Sequence, residues 1–162
     1  MPFDAQPMLE GELLVVRPLR AEDVDALYEV ARDPLLWEQH PQRDRWREDV
    51  FRRFFAEQLA SGGGLAVVDR ATGAVIGSSR YWDYDEAASE VEIGWTFLAR
   101  PYWGGVYNGE LKRLMVEHAF RFVERVVFLV DPNNLRSRRA VEKLGAVPNG
   151  ARRTGVLYEL RR

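Results

Sequence analysis

The chain has 162 residues, with 23 Lys and Arg against 25 Asp and Glu, so its formal net charge is −2. This balance argues against a protein that coats polyanions, because such proteins depend on a strong positive charge. The lack of cysteine excludes disulfide frameworks, cysteine zinc sites and thiol nucleophiles. With 46% hydrophobic residues, the chain has enough apolar material to fold as one domain.

The amino-terminal segment lacks the pattern of a secretory signal. No basic region is followed by an apolar run there, and no stretch of the chain approaches about 18 consecutive apolar residues. We therefore expect a cytoplasmic protein in which residues 1–162 form one domain. Residues 1–9 are expected to be a flexible segment.

The first half of the chain predicts one strand, two helices and a hairpin. Apolar and β-branched residues at 12–17 predict the strand, which Pro18 ends. Apolar positions 24, 27, 28 and 31 predict an amphipathic helix over residues 20–32, and a second helical pattern covers residues 45–59. After a run of glycines at 62–64, segments 65–69 and 74–84 read as two strands joined by a turn.

The second half begins with a strand at residues 89–98, where apolar and polar residues alternate. A period of two predicts that Val91, Ile93, Trp95 and Phe97 face one way, and that Glu90, Glu92, Gly94 and Thr96 face the other way. A loop at 100–108, a helix at 109–122, a buried strand at 125–130 and a helix at 133–144 are expected to follow. A short last strand is predicted at 156–160.

The resulting order, β-α-α-β-β-β-α-β-α-β, predicts an α/β fold with a central mixed, largely antiparallel sheet. Its carboxyl-terminal part contains a βαβ unit. In such a unit the turn from strand to helix can hold an anion through backbone N–H groups and the helix dipole. We therefore expect the functional site at residues 94–110.

Two motifs lie in this part of the chain. Glu92-Ile-Gly-Trp95 runs into Arg100-Pro-Tyr-Trp-Gly-Gly-Val-Tyr-Asn108, and Asn134-Leu-Arg-Ser137 precedes Glu142-Lys-Leu-Gly145. Together with the element order they resemble the GNAT (general N-acetyltransferase) superfamily, in particular its RimJ/RimL-like branch, over about residues 10–160. The resemblance implies a GNAT-like fold and transfer of an acetyl group from acetyl-CoA to a primary amine.

The resemblance also implies a binding site for acetyl-CoA. In the family, the turn before the third helix holds the pyrophosphate with backbone N–H groups, which requires small residues. Val106 and Asn108 stand where the family loop has small residues, so either Gly104 and Gly105 hold the pyrophosphate or its binding is weakened. The residues expected to contact acetyl-CoA are Trp95, Thr96, Phe97, Trp103, Gly104, Gly105, Val106, Tyr107, Asn108, Asn134, Arg136 and Arg139.

Two residues are the candidates for catalysis. Acetyl transfer needs a neutral amine, and Glu92 is placed beside the cofactor strand to accept its proton, with Glu90 as the alternative on the same face. A backbone N–H near Trp95 can stabilise the oxyanion. The resemblance assigns Ser137 to the departing thiolate, whereas Asn134 also suits a helix N-cap. Without cysteine, we expect direct transfer in a ternary complex.

The acceptor amine stays open between a protein amino terminus and a small molecule. An alternative function is a non-catalytic acyl-CoA-binding module of the same fold. A nucleic-acid-binding domain using the arginines at 136, 138, 139, 152 and 153 is disfavoured by the net charge of −2. We expect no metal, no nucleic-acid partner and no membrane partner, and either a monomer or a homodimer.

Overall fold

A computed structural model describes residues 2–162 of the chain. Four α-helices and eight strands form the framework. The helices are α1 (Val24–Ala31), α2 (Glu48–Ala60), α3 (Val106–Ala119) and α4 (Leu135–Lys143). The strands are β1 (Leu9–Glu10), β2 (Leu14–Pro18), β3 (Gly64–Asp69), β4 (Val75–Asp85), β5 (Glu90–Leu98), β6 (Arg125–Val130), β7 (Val147–Arg152) and β8 (Gly155–Arg161).

The strands form one sheet in the order β1-β2-β3-β4-β5-β6-β8-β7. All neighbouring strands are antiparallel except β5 and β6, which are parallel and are connected through α3. The predicted α/β fold with a mixed, largely antiparallel sheet is therefore confirmed. The connection β5-α3-β6 places the expected site near the centre of the sheet.

A separate hydrophobic core lies on each face of the sheet. Phe51 and Phe55 of α2 pack with Leu27 of α1 on one face, and Met115 of α3 packs with Val141 of α4 on the other. These side chains are at most 6% exposed. Burial of each contributes about 1.5–3 kcal/mol, so the apolar helix faces determine how the helices sit on the sheet.

Two strands and the amino-terminal segment differ from the sequence prediction. Strand β1 has two residues, and β7 contains Pro148 and Gly150, which read as a loop because both residues are rare inside strands. The segment expected to be flexible at residues 1–9 is instead packed from Phe3 onward. The Phe3 ring lies 4.9 Å from that of Tyr81, and the carbonyl of Asp4 is 2.8 Å from Nε2 of His118. Met1 lies outside the described residues.

Strand β5 contains a bulge next to the expected site. Gly94 pairs with Arg80 and Phe97 pairs with Ser78, so residues 95 and 96 of β5 stand opposite a single residue of β4. The first of the two, Trp95, has φ of 53°, a left-handed conformation that is rare for a bulky residue. Such a bulge inserts one residue into the alternation of the strand.

The bulge corrects the predicted orientation of Trp95 and Phe97. Val91 and Ile93 lie in the core under α3, as the alternation predicts. Phe97 lies in the core on the other face, and Trp95 packs against that same core. The period of two fails because the extra residue reverses every side chain that follows it.

Strands β5 and β6 separate beyond the bulge. Their parallel pairing covers only three pairs, from Glu90 with Arg125 to Glu92 with Val127. The remaining residues of both strands do not pair with each other in the described chain. The gap that opens between them leads from the bulge towards the amino-terminal end of α3.

Candidate active site

The turn into α3 leaves backbone donors free. Helix α3 begins at Val106, three residues before the predicted start, and Gly105 provides no side chain to cap it. Gly104 has φ of 116° and Gly105 has φ of 102°, conformations that favour glycine. Within residues 2–162, no acceptor receives the N–H groups of the first helical turn, Val106 to Asn108. Free N–H groups at a helix N-terminus attract an anion.

The space in front of this turn is open and positively charged. A Cβ atom placed on Gly104 would meet no other atom within 4 Å. A Cβ atom on Gly105 would lie 3.9 Å from Nζ of Lys143, in the last turn of α4. The predicted contacts did not include Lys143, which reads from sequence only as a residue near a helix end. Backbone donors, the helix dipole and an ammonium group together suit a pyrophosphate.

The other residues of the turn contribute less through their side chains. Val106 is 68% exposed, and the ring of Tyr107 packs edge-on against Tyr102 at 4.9 Å. The indole of Trp103 donates to the carbonyl oxygen of Leu98 at 2.9 Å. The tight backbone therefore falls on the two glycines, and the side chains at 106 and 107 leave it accessible.

A small pocket lies between β5, α4 and the segment that connects α1 to α2. Its volume is about 30 Å³, which is room for about one water molecule. His40 is part of its wall, and burial lowers the pKa of this imidazole to about 4, so it is neutral at pH 7. Six of the predicted site residues line the pocket, together with Leu36, Trp37, His40 and Leu98: Thr96, Phe97, Trp103, Asn134, Arg136 and Ser137.

Arg136 covers one side of this pocket. Its guanidinium carbon lies 3.6 Å from the ring centre of Trp103, a cation–π contact. Its Nη2 donates to the carbonyl oxygen of Leu36 at 3.3 Å. Arg139, predicted to bind the cofactor as well, is exposed on α4 and lies outside the pocket. The structure therefore brings Arg136, and not Arg139, into contact with the other site residues.

Asn134 and Ser137 begin helix α4. The Oδ1 atom of Asn134 accepts the backbone N–H of Ser137 at 3.3 Å, so Asn134 is the N-cap. Asn134 is only 5% exposed. No residue in the described chain forms a hydrogen bond with Oγ of Ser137. This hydroxyl lies on the pocket wall with its donor unused.

Glu92 lies on β5 before the bulge, paired with Trp82 of β4. It is 5% exposed, and its Oε1 accepts from Nη2 of Arg153 at 2.5 Å. Burial raises the pKa of Glu92, although Arg153 opposes this effect. Glu92 is therefore a desolvated carboxylate with one hydrogen-bonded oxygen. It does not line the pocket of Ser137.

Glu90 has a different environment from Glu92. Its two oxygens lie 2.5 Å from Nη2 of Arg125 and 2.8 Å from Nη1 of Arg152. The side chain is 6% exposed and joins β5 to β6 and β7. Each carboxylate oxygen faces an arginine, so this arrangement suits a structural ion pair.

Sequence analysis missed a buried lysine beneath the bulge. Lys112 of α3 is 5% exposed, and its ammonium donates to Oγ1 of Thr96. Thr96 Oγ1 also lies 2.8 Å from Oγ of Ser79. Burial lowers the pKa of Lys112 to about 7. The signal was its position three residues before Met115 and seven before Ala119, on the apolar face of the helix.

The described residues contain no group of three or more His, Asp or Glu side chains able to hold a metal ion. Among the helices of residues 2–162, none is both long and apolar enough to cross a membrane.

Comparison with known proteins gives the family. The family model described as "Acetyltransferase (GNAT) domain" matches residues 14–147. The chain belongs to the GNAT acetyltransferase family, as the motifs around Glu92 and Asn134 indicated.

Solved structures support the same fold. An assigned acetyltransferase from T. thermophilus has 28% sequence identity and a TM-score of 0.78, covering 99% of this chain and 90% of that chain. An assigned ribosomal-protein-serine acetyltransferase from Vibrio cholerae has 15% identity and a TM-score of 0.78, covering 96% and 98%. The PaiA N-acetyltransferase from Thermoplasma acidophilum, in complex with coenzyme A, has 15% identity and a TM-score of 0.65, covering 92% and 99%.

Proposed function

We propose that this protein is an acetyl-CoA-dependent N-acetyltransferase that acetylates a primary amine by direct attack in a ternary complex. The observation that carries the proposal is the start of α3. Free N–H groups, two glycines with positive φ and Lys143 converge there on open space. The coenzyme A complex of the T. acidophilum neighbour supports this choice of ligand.

Each part of the site has a role in this reaction. Acetyl-CoA supplies the activated acetyl group as a thioester. The backbone N–H groups from Gly104 to Asn108 and the ammonium of Lys143 bind the pyrophosphate. Arg136 and Trp103 flank the path from there to the bulge, where Trp95 and Thr96 depart from the regular strand pairing. A backbone N–H of the bulge is positioned to stabilise the oxyanion.

Glu92 is the proposed general base. A primary amine is mostly protonated at neutral pH and must lose a proton before it attacks. The raised pKa of Glu92 brings its proton affinity closer to that of the amine. Glu92 also has Oε2 without a hydrogen bond in the described chain, whereas both oxygens of Glu90 face arginines. This difference favours Glu92 over Glu90.

Ser137 is the proposed donor to the departing thiolate, because its hydroxyl faces the pocket and has no other partner in the described chain. We expect Ser137→Ala to lower kcat while the free energy of unfolding stays nearly constant, since alanine is the better helix former. Asn134→Ala should cost about 1 kcal/mol of stability through loss of the cap. Urea midpoints and steady-state rates of both variants test this pair, and a Ser137→Ala enzyme with full kcat would remove Ser137 from the mechanism.

The assignment of the coenzyme A site makes a second prediction. Gly104→Val should lower the affinity for coenzyme A at least about tenfold, because the side chain enters the open space that the ligand needs and strains a positive φ. Gly73→Val is the matched control. Gly73 also has a positive φ of 76° and open space around it, but lies in the β3–β4 turn.

Calorimetric titration with coenzyme A measures both glycine variants. Both should lose similar stability from backbone strain, about 1–2 kcal/mol. Only Gly104→Val should lose affinity. Equal affinities of Gly104→Val and the unmodified protein would contradict the assigned site.

A non-catalytic acyl-CoA-binding module of the same fold is the second candidate. The ion pair between Arg153 and Glu92 is the observation that favours it, because a carboxylate held by arginine is a poorer base. Release of free coenzyme A in the presence of an amine separates the two functions. A binding module would bind acetyl-CoA without releasing the thiol.

A further inference from the structure

Two cationic side chains are buried in the part of the chain that the structure describes, Arg80 and Lys112, and neither forms an ion pair. Lys112 lies under the bulge, where Thr96 accepts from it. Arg80 is 8% exposed, and its Nη1 makes one long hydrogen bond, 3.4 Å, to Oε1 of Gln58. Its buried Nε has no acceptor in the described chain. An arginine desolvated in this way is costly unless an anion pairs with it.

Aromatic rings account for the faces of Arg80 but not for its edge. The guanidinium carbon lies 3.7 Å from the ring centre of Trp95 and 4.5 Å from that of Trp82. These cation–π contacts hold the plane of the guanidinium in one orientation. They leave its N–H donors free, and these donors form the geometry that suits a carboxylate.

Arg80 shares a sheet face with the proposed base. Arg80 pairs with Gly94, and Trp82 pairs with Glu92, so Arg80 and Glu92 are diagonal neighbours on adjacent antiparallel strands. Diagonal positions of this kind are about 7–8 Å apart. An acceptor whose amine contacts Glu92 therefore reaches Arg80 with a group only a few bonds away.

Other charges on this face add to the positive potential. Arg45 stacks on Phe54 at 4.0 Å and also forms no ion pair with a described residue. Burial lowers the pKa of Arg45 to about 10, and Glu57, which is exposed, opposes this effect. Apart from Glu92, the buried part of this face offers no carboxylate to Arg80 within residues 2–162.

We propose that Arg80 binds a carboxylate on the acceptor, so that the substrate class is amines that carry a carboxylate a few bonds from the amino group, such as free amino acids. The inference rests on the proposed acetyl transfer to an amine. It gives the acceptor two anchors, Glu92 for the amine and Arg80 for the acid. It also excludes polyamines, whose additional charge would lie next to Arg80.

Matched pairs of acceptors test this assignment on the unmodified protein. L-phenylalanine is compared with 2-phenylethylamine, and L-leucine with 3-methylbutylamine, each pair differing only in the carboxylate. Initial rates with acetyl-CoA are corrected for the unprotonated fraction of each amine. Equilibrium binding of the same compounds to the protein–coenzyme A complex is measured by calorimetry. A charged hydrogen-bonded pair predicts a preference of about 10- to 100-fold for the amino acid in kcat/KM and in affinity.

Two variants assign the preference to Arg80. Arg80→Gln should reduce the preference to within about threefold, because it removes the charge that strengthens the hydrogen bonds. Arg80→Lys keeps the charge and should retain part of the preference. Arg53→Gln, which alters an exposed arginine of α2 without an ion pair, is the matched control and should leave the preference unchanged. Coenzyme A affinity and urea unfolding verify that each variant is folded.

The outcomes separate this inference from the proposed function. Equal rates and equal affinities within each acceptor pair would overturn the role of Arg80 while leaving acetyl transfer in place. Amino acid binding that depends on Arg80, without release of coenzyme A, would support the carboxylate site and overturn the transferase activity. A preference that persists in Arg80→Gln would also contradict the assignment, whatever the activity. Failure of every acceptor to bind or react would overturn both.

Discussion

Glu92→Gln is expected to lower kcat by about 10²- to 10⁴-fold at neutral pH, the usual contribution of a general base. The amide keeps the shape of the side chain but cannot accept the proton of the amine. Affinity for coenzyme A should change little, because the free N–H groups that bind it lie at the start of α3. The loss should shrink as the pH rises, since the amine then becomes neutral without help from the protein.

Glu90→Gln is the matched control for this prediction. It makes the same change two residues away on β5, but at a carboxylate whose ion pairs join the strands. It should lower the stability of the fold, because two arginines lose their partner, and leave kcat close to that of the unmodified enzyme. Steady-state rates from pH 6 to pH 9 measure both variants. A Glu92→Gln enzyme within about threefold of full kcat at neutral pH would leave the base unassigned.

Lys112→Met is expected to change the pH dependence of stability. Burial lowers the pKa of Lys112 from its ordinary 10.5 to about 7 in the folded protein. Between these two values the unfolded chain binds the proton and the folded chain does not, so the lysine stabilises the fold progressively as the pH rises. Below about pH 7 the folded protein must bury the charge, and the full cost is present.

The unmodified protein should therefore gain about 1.4 kcal/mol per pH unit relative to Lys112→Met between pH 7 and pH 9. Methionine should be clearly more stable at pH 6, because it fills the same volume without a buried charge. Urea unfolding of both proteins at each pH measures the difference. Lys143→Met replaces an exposed lysine and should give a difference that does not vary with pH. A Lys112→Met difference equally independent of pH would show that the lysine is not desolvated.

Local sequence pattern predicted the framework but not the bulge. The helices and the central strands follow from hydrophobic spacing, because each element buries one apolar face. The bulge at Trp95 depends on pairing between β4 and β5, and no residue of the strand indicates it, since tryptophan rarely adopts a positive φ. The orientation of Trp95 and Phe97 was therefore wrong, whereas Glu92 precedes the bulge and kept its predicted face.

The charged residues of the site divide in the same way. Gly104, Gly105, Asn134 and Ser137 stood in contiguous motifs and were found from sequence. Arg80 and Lys112 belong to no motif, and their burial without ion pairs depends on distant elements that pack over them. Long-range partners of this kind, like the contact of Arg153 with Glu92, become visible only in three dimensions.

The most direct test of acetyl transfer is a mass-balanced assay. The protein is incubated with acetyl-CoA and each acceptor amine, and free coenzyme A thiol and N-acetylated acceptor are quantified in the same samples by thiol titration and mass spectrometry. The account predicts equal molar amounts of both products, with formation that depends on protein and acceptor and is strongly reduced in Glu92→Gln. Acetyl-CoA that binds with affinity sensitive to Gly104→Val, yet yields neither product above the protein-free rate with any acceptor, would contradict the account and indicate a binding module.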